Sequence, residues 1–201
     1  MKTKAIGFDY GGVIGGIGNN FTESICGVLN IPKEEYREIY FSHNYLINTG
    51  KVSTWKEFWP IVLDKLGKRN KLDEVLKISN SVTYSYTDFD QLILSYISDL
   101  RSRGYKTGLL SNATKEVGRI LRLEGLDKYF DSFFISAEIG LQKPDPQTFE
   151  LLATSLEVSI NNLIFIDDAE KSLSTADICG YTPVLFKSFE QMKEEVEKLL
   201  A

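Results

Sequence analysis

The stretch Ala5-Ile6-Gly7-Phe8-Asp9-Tyr10-Gly11-Gly12-Val13 places a carboxylate directly after a short apolar run, near the start of a chain of 201 residues. The apolar run predicts a buried strand, so Asp9 is expected at the carboxyl edge of a sheet. Open α/β folds bind their ligands at that edge. Glycines 11 and 12 let the chain turn tightly, so that the backbone N–H groups of 10–12 are expected to bind anionic oxygens.

Three later segments supply polar side chains of the same kind. They read Leu109-Leu110-Ser111-Asn112, Lys143-Pro144-Asp145 and Phe165-Ile166-Asp167-Asp168. Each polar group follows an apolar run or lies in a loop, and the order along the chain is carboxylate, hydroxyl, lysine and paired carboxylates. Together with Asp9 they indicate one site, assembled at the edge of the sheet.

These residue types favour phosphoryl transfer. Asp9, Asp167 and Asp168 would repel one another unless a divalent cation kept them ionised, and oxygen ligands without His or Cys favour Mg²⁺ over Zn²⁺. Lys143 would orient the nucleophilic carboxylate and neutralise a phosphate. Ser111 and the backbone N–H of Asn112 would bind anionic oxygens. A carboxylate nucleophile in this setting suits covalent displacement at phosphorus, through an aspartyl-phosphate that water hydrolyses.

From residue 88 onwards, predicted strands and helices alternate, which is typical of right-handed βαβ units and a parallel sheet. The predicted strands are Ala5–Phe8, Lys106–Leu110, Phe133–Ile135, Leu163–Ile166 and Pro183–Phe186. The predicted helices are one that Asp88 or Asp90 caps and that runs through Arg103, then Thr114–Glu124, Pro146–Leu156, Glu170–Cys179 and Ser188–Leu200. The sequence therefore predicts a doubly wound, Rossmann-like α/β core over residues 1–14 and 88–201.

Residues 15–87 are predicted to form a helical cap, inserted after the first strand. A glycine-rich stretch over 13–20 suits a hinge. Helical spacing predicts Phe21–Leu29, a helix from Pro32 to about Phe41, Trp55–Leu66 and Leu72–Ser79, with no strand among them. Tyr84, Tyr86 and Phe89, near the junction with the core, are interpreted as packing residues.

The composition excludes several classes of protein. With 43% hydrophobic and 25% charged residues the chain is typical of a globular domain, and a net charge of −5 argues against nucleic-acid binding. No apolar run suits a signal peptide or a membrane span, so a cytoplasmic protein without a membrane partner is expected. Cys26 and Cys179 fit no metal-ligand spacing and are expected to be reduced thiols.

The four motifs resemble those of the haloacid dehalogenase superfamily of hydrolases, in particular its members with a small helical cap. Residues 8–14 match the first motif, 109–112 the second, 140–146 the lysine motif and 165–168 the metal motif. The resemblance implies that Asp9 is the nucleophile and that Mg²⁺ is bound by Asp9, the Gly11 carbonyl and Asp168, with Asp167 outside the direct ligands. It also implies that Ser111, Asn112 and Lys143 bind the transferred group, alongside the backbone of Gly11 and Gly12.

Gly11 departs from the pattern of phosphatases in this family. They usually carry a second aspartate there, which protonates the leaving group, and a positioned general acid is worth about 10²–10⁴ in rate. His43 and Glu23 are the first candidates for a replacement proton donor.

The leading functional hypothesis is a Mg²⁺-dependent phosphatase of a small soluble phosphomonoester, such as a sugar phosphate or a nucleotide. A cap of this kind limits access to small substrates and excludes water. Two alternatives stay open: a hydrolase that releases halide from small 2-haloacids without a metal, and a non-catalytic binding protein of the same fold.

Overall fold

A computed structural model of the chain describes residues 4–16, 20–83 and 88–201. Five strands in these residues form one parallel sheet, and every predicted strand is confirmed to within two residues at each end. The strands are β1 (Ala5–Phe8), β2 (Lys106–Ser111), β3 (Ser132–Ile135), β4 (Leu163–Asp167) and β5 (Thr182–Leu185). Their order is β3-β2-β1-β4-β5, so the chain winds outward from β1 in both directions. The point at which strand order reverses lies between β1 and β4, beside Asp9.

Between β1 and β2 the described chain is helical, as predicted, with no strand in 20–83. The helices are α1 (Asn20–Leu29), α2 (Lys33–His43), α3 (Tyr45–Asn48), α4 (Trp55–Lys65) and α5 (Leu72–Thr83). We call them the cap helices. The short α3 was not predicted, and α5 is four residues longer than expected. Residues 17–19 and 84–87, including most of the hinge stretch beyond Gly16 as well as Tyr84 and Tyr86, lie outside the described part of the chain.

The cap helices have a hydrophobic core of their own. Ile25, Phe58, Trp59 and Val75 are fully buried in it. The indole N–H of Trp59 donates a hydrogen bond of 2.6 Å to Ser79 Oγ, so the polar atom of this large buried ring is satisfied. A separate core of this kind is consistent with a cap domain, although the boundaries at 15 and 87 stay a prediction.

The remaining helices cover both faces of the sheet. They are α6 (Gln91–Ser102), α7 (Lys115–Leu123), α8 (Ser136–Ile139), α9 (Pro146–Ser155), α10 (Ala176–Cys179) and α11 (Phe189–Leu200). Ile6 and Phe8 point to the face that α6, α7 and α11 cover, whereas Ala5 packs on the side of α9 and α10. Because successive strand residues point to opposite faces, β1 is buried on both and reads as a continuous apolar run.

The prediction of one helix over Glu170–Cys179 is wrong. The structure has a 3₁₀ turn over Glu170–Leu173 and only then the short α10. The Ser174 hydroxyl donates to the Lys171 carbonyl, and Thr175 Oγ1 donates to the Pro144 carbonyl across the fold, both at 2.8 Å. Hydroxyl side chains that bond backbone groups in this way compete with continuous helix.

The described ends of the two connections between core and cap, at Ile14 and Asp90, lie side by side. The backbone N–H of Asp90 donates to the carbonyl of Ile14 at 2.7 Å, and the Asp90 carboxylate caps α6. The ring of Phe89 packs edge-on against Tyr10, with 6.2 Å between centroids, which confirms its packing role. These two contacts hold residues 89 and 90 against the segment that follows Asp9.

Candidate active site

Three carboxylates converge at the carboxyl edge of the sheet. Asp9 follows β1, Asp167 ends β4 and Asp168 comes next, and one oxygen of each lies within 4.8 Å of the others. The backbone N–H of Asp9 donates to the Ile166 carbonyl at 2.8 Å, so the pairing of β1 with β4 continues up to the site. A group of oxygen ligands without nitrogen or sulfur fits a hard cation such as Mg²⁺.

Lys143 is buried against two of these carboxylates. Its Nζ lies 2.9 Å from Asp9 Oδ1 and 2.5 Å from Asp167 Oδ2, and 5.1 Å from the centre of the Phe165 ring. A buried ammonium is costly unless counter-ions surround it, and here two carboxylates do so. Asp167 is completely buried, and its other oxygen accepts the N–H of Ala169 at 2.9 Å. Both oxygens of Asp167 are therefore occupied by protein donors.

Burial opposes ionisation of the adjacent carboxyl groups of Asp167 and Asp168, which we call the acidic pair. Burial, with the charge of Asp9 as the second cause, raises the pKa of Asp167, while Lys143 opposes the shift. The same two causes raise the pKa of Asp168, which is the more exposed of the two. A cation bound among the three carboxylates would remove this repulsion, so the electrostatics of the site favour a positively charged ligand.

Asn112 has partners that the motif did not predict. Its side-chain amide donates to the carbonyl of Lys143 at 2.9 Å, and its side-chain oxygen accepts the N–H of Lys143 at 2.8 Å. The side chain thus holds the lysine loop in place, and only its backbone N–H is left for the predicted anion binding. Ser111, at the end of β2, lines the cleft, and its hydroxyl has no partner within the described residues.

The two glycines after Asp9 differ in what they tolerate. Gly12 has φ +72°, and a Cβ there would lie 2.3 Å from Asp168 Oδ2, so a side chain would displace that carboxylate. Gly11 is not in the left-handed region, and no atom lies within 4 Å of the position of its Cβ. A Cβ at Gly11 would therefore not strain the backbone and would contact no neighbouring atom.

A cleft of about 740 Å³ lies between this edge of the sheet and the cap helices. Its core wall contains Ser111, Asn112, Asp168 and the turn at Gly11 and Gly12. Its cap wall contains residues of α1 and α2, namely Phe21, Thr22, Glu23, Lys33, Arg37 and Phe41. The cap wall thus faces Asp168 across the cleft with a surface that is both aromatic and charged.

The contribution of α2 to this wall was not predicted from the sequence. Lys33, Arg37 and Phe41 are four residues apart and so follow one another along a single face of the helix. The spacing was visible in the sequence, but which face of α2 meets the cleft depends on how the cap packs. Phe41 is 47% exposed, so its ring is available for contact with a ligand in the cleft.

The two candidate proton donors occupy different places. Glu23 lines the cleft but is hydrogen-bonded to Lys33, which lowers the pKa of its carboxyl. His43, at the end of α2, is not among the residues that line the cleft, and its Nδ1 lies 2.9 Å from the carbonyl of Ile39. Neither arrangement favours a protonated acid beside the leaving group.

Comparisons with known proteins agree with this description. A family model described as haloacid dehalogenase-like hydrolase matches residues 3–177. The chain is 24% identical to D-ribitol-5-phosphate phosphatase of Bacteroides thetaiotaomicron over 207 residues, 98% of each protein. A crystal structure of a HAD family enzyme from the same organism, in complex with magnesium and inorganic phosphate, superposes with a TM-score of 0.67 at 21% identity and covers 93% of this chain and 96% of that one.

Other relatives are matched only in part. The bifunctional epoxide hydrolase 2 of Sus scrofa is 27% identical over 105 residues, which are 50% of this chain and 19% of that protein. The chain spans 19–29% of the length of the mammalian epoxide hydrolases that it matches.

Within the described residues, no helix has the length and apolarity needed to cross a bilayer.

Proposed function

The chain belongs to the haloacid dehalogenase-like hydrolases, and from that premise we propose that it is a Mg²⁺-dependent phosphatase of small phosphomonoesters such as sugar phosphates or nucleotides. The observation that carries the proposal is the group of three carboxylate oxygens within 4.8 Å beside the buried Lys143. The similarity to a sugar-alcohol phosphatase along its whole length supports the same class of reaction.

In the proposed reaction, Asp9 attacks phosphorus, and the bond between phosphorus and the leaving oxygen breaks as the aspartyl-phosphate forms. Lys143 holds the Asp9 carboxylate in place and, with Ser111, binds the oxygens of the transferred group. Water then attacks the phosphorus of the intermediate, which releases inorganic phosphate and restores the carboxylate. The helical cap limits the access of bulk water during the covalent step.

Asp9, Asp168 and the Gly11 carbonyl would hold the metal ion. We propose that Asp167 is not a direct ligand, and the hydrogen bonds of its two oxygens to Lys143 and Ala169 support this. Bound Mg²⁺ would neutralise the carboxylates and the charge that develops on the phosphate oxygens.

A halide-releasing hydrolase is the second candidate, because Gly11 leaves the chain without the usual general acid and a halide departs without a proton. Against it, Asp168 adds a third carboxylate oxygen within 4.8 Å of those of Asp9 and Asp167, which a metal-free site does not need.

One assay separates the candidates. Turnover of p-nitrophenyl phosphate would be measured with Mg²⁺ and with a chelator, beside halide release from chloroacetate. We expect phosphate release that depends on Mg²⁺ and no halide. Halide release without a metal would overturn the proposal in favour of the dehalogenase, and no turnover of either substrate would favour a binding protein.

A further inference from the structure

We infer that Arg37 forms a second anion-binding subsite on the cap wall of the cleft, and that the substrate is a phosphomonoester with another anionic group, a carboxylate or a second phosphate. The inference rests on the proposed function and names its substrate class more closely. It starts from the face of α2 that lines the cleft.

One face of α2 packs into the cap core, and another lines the cleft. Tyr36 is fully buried in the cap core and stacks on Tyr40, with 5.2 Å between ring centroids. The Tyr40 ring in turn packs edge-on against Phe58, at 5.6 Å. These aromatic contacts fix the rotation of α2 about its axis, so that the row of Lys33, Arg37 and Phe41 meets the cleft.

Of the two cationic side chains on the cap wall, one has no anionic partner among the described residues. Lys33 forms an ion pair with Glu23, and this contact lowers the pKa of the Glu23 carboxyl, so the pair has no net charge at neutral pH. Arg37 forms no ion pair or hydrogen bond with any residue in the described ranges. The cap side of the cleft therefore presents one uncompensated positive charge.

The aromatic neighbour of Arg37 leaves its donors available. The guanidinium carbon lies 5.4 Å from the centre of the Phe41 ring. A cation–π contact forms no hydrogen bond with an acceptor, so the N–H groups of the guanidinium remain available for the two oxygens of a carboxylate or phosphate. The half-exposed Phe41 ring would pack against the carbon skeleton between the two anionic groups.

The transferred phosphate does not need Arg37. On the core wall, Ser111 and the proposed cation, with the buried Lys143 behind Asp9, already provide the charge and the hydrogen bonds that a phosphate requires. An additional cation on the opposite, cap-borne wall suits a different part of the substrate. Neutral polyol phosphates would use the core wall alone and would bind less tightly.

The test compares substrates that share a carbon skeleton and differ in distal charge. The carboxylate arm pairs glycerol 3-phosphate with 3-phosphoglycerate and glucose 6-phosphate with 6-phosphogluconate. The bisphosphate arm pairs fructose 6-phosphate with fructose 1,6-bisphosphate. We expect the doubly anionic member of at least one pair to have a kcat/KM higher by about 10-fold or more, chiefly through KM.

Variants assign that preference to Arg37. In Arg37→Gln the preference for the doubly anionic substrate should fall to about 2-fold or less. Arg37→Lys should retain part of this preference, because lysine keeps the positive charge but lacks the planar guanidinium that binds two oxygens at once. Lys77→Gln removes an exposed cap lysine that does not line the cleft, and it should keep the full preference. Since Arg37 is exposed, a folding defect is not expected, and melting curves would check this.

The outcomes separate this inference from the proposed function. If p-nitrophenyl phosphate is hydrolysed but no doubly anionic substrate is preferred, the subsite is refuted and the phosphatase stands. Equal losses for neutral and charged substrates in Arg37→Gln would mean that Arg37 binds the transferred phosphate, which also overturns it. Absence of all phosphatase activity would refute the proposed function itself.

Discussion

At the scale of single residues, Gly11 is a position where this chain departs from the usual pattern of the phosphatases in its family. No acidic side chain stands there, and the two other candidate donors are an ionised, paired Glu23 and a His43 that does not line the cleft. The proposed enzyme would then depend on leaving groups that depart with little protonation.

Substrate reactivity tests this dependence on the leaving group. Aryl phosphates and sugar 1-phosphates should be hydrolysed faster than simple alkyl phosphates, by up to about 10²–10⁴. Gly11→Asp should narrow the gap, because the structure leaves open space at the Cβ of Gly11 and its φ suits any residue. Steady-state rates over a series of leaving-group pKa values measure both effects. A flat series would show that another group donates the proton, with Glu23→Gln and His43→Gln as the next variants.

The proposed nucleophile has a direct test. Asp9→Asn should lower kcat by about 10⁴ or more, since an amide does not attack phosphorus as a carboxylate does. The fold should persist, because Lys143 keeps Asp167 as its counter-ion. Asp177→Asn, an exposed change on α10, serves as the control and should leave kcat unaltered. Turnover by Asp9→Asn close to that of the control would remove Asp9 from this role.

The acidic pair makes metal binding sensitive to pH. Because the pKa of Asp168 is raised, protons compete with Mg²⁺ at a higher pH than for an ordinary carboxyl group. Titration calorimetry should therefore show Mg²⁺ affinity falling as the pH is lowered from neutral into the acid range, and Asp168→Asn, which removes a proposed ligand, should weaken binding by about 10-fold or more. Affinity independent of both pH and Asp168 would argue against this site.

The metal-free protein should respond to acid in the opposite direction. A raised carboxyl pKa means that the folded state holds the proton more tightly than the unfolded chain does, so the contribution of Asp167 and Asp168 to stability grows as the pH falls through their raised pKa values. Melting curves in a chelator would report this contribution, as the difference between the wild type and Asp168→Asn.

At the scale of elements, the loop that carries Lys143 is held by two side chains from other parts of the fold. Asn112, just past β2, makes two hydrogen bonds to the backbone of Lys143 itself. Thr175, before α10, donates to the carbonyl of Pro144, the next residue. Asn112 thus acts on Lys143 itself, whereas Thr175 holds only the residue that follows it.

Asn112→Ala should weaken both stability and catalysis. Two backbone groups of Lys143 would lose their partners, which should lower the free energy of unfolding by about 1–3 kcal/mol. The displaced Nζ should also reduce kcat by about 10-fold or more. Thr175→Val is the matched control: urea denaturation should show a loss of about 1 kcal/mol, with kcat nearly retained. Similar kcat values for the two variants would contradict a positioning role for Asn112.

At the scale of the whole molecule, the cleft exists because the cap helices lie over the edge of the sheet. One contact between cap and core is unusually close. Gly50, in the loop between α3 and α4, has φ +69°, and a Cβ there would lie 2.5 Å from the carbonyl oxygen of Ala137 on α8. Any side chain at Gly50 would require the backbone on one side of this contact to shift.

Gly50→Ala tests whether that placement matters for catalysis. It should lower kcat/KM by about 10- to 10²-fold, because small displacements of groups around a site have effects of this size. Gly67→Ala is a matched control, since Gly67 has φ +63° but no atom within 4 Å of its Cβ position. Both variants should lose about 1–2 kcal/mol to left-handed strain. If the two also lost activity equally, the close contact would have no part in positioning the cap.

The sequence alone determined the architecture and the identity of the polar cluster. The strands of a parallel sheet are buried on both faces, so each reads as a short apolar run, and the residue after the run lies at the functional edge. Asp9, Ser111 and Asp167 could be placed in this way. Helix ends such as Asp90 and Ser188 were also recognisable, because a cap uses only side chains that are neighbours in sequence.

Tertiary structure decided which surfaces meet. The spacing of Lys33, Arg37 and Phe41 defines a face of α2, but only the burial of Tyr36 in the cap core turns that face toward the cleft. The interruption between Glu170 and Cys179 and the bonds from Asn112 to Lys143 likewise depend on partners about 30 residues away. Such contacts carry no periodic signal, because they arise from the packing of distant segments rather than from the local geometry of helix or strand.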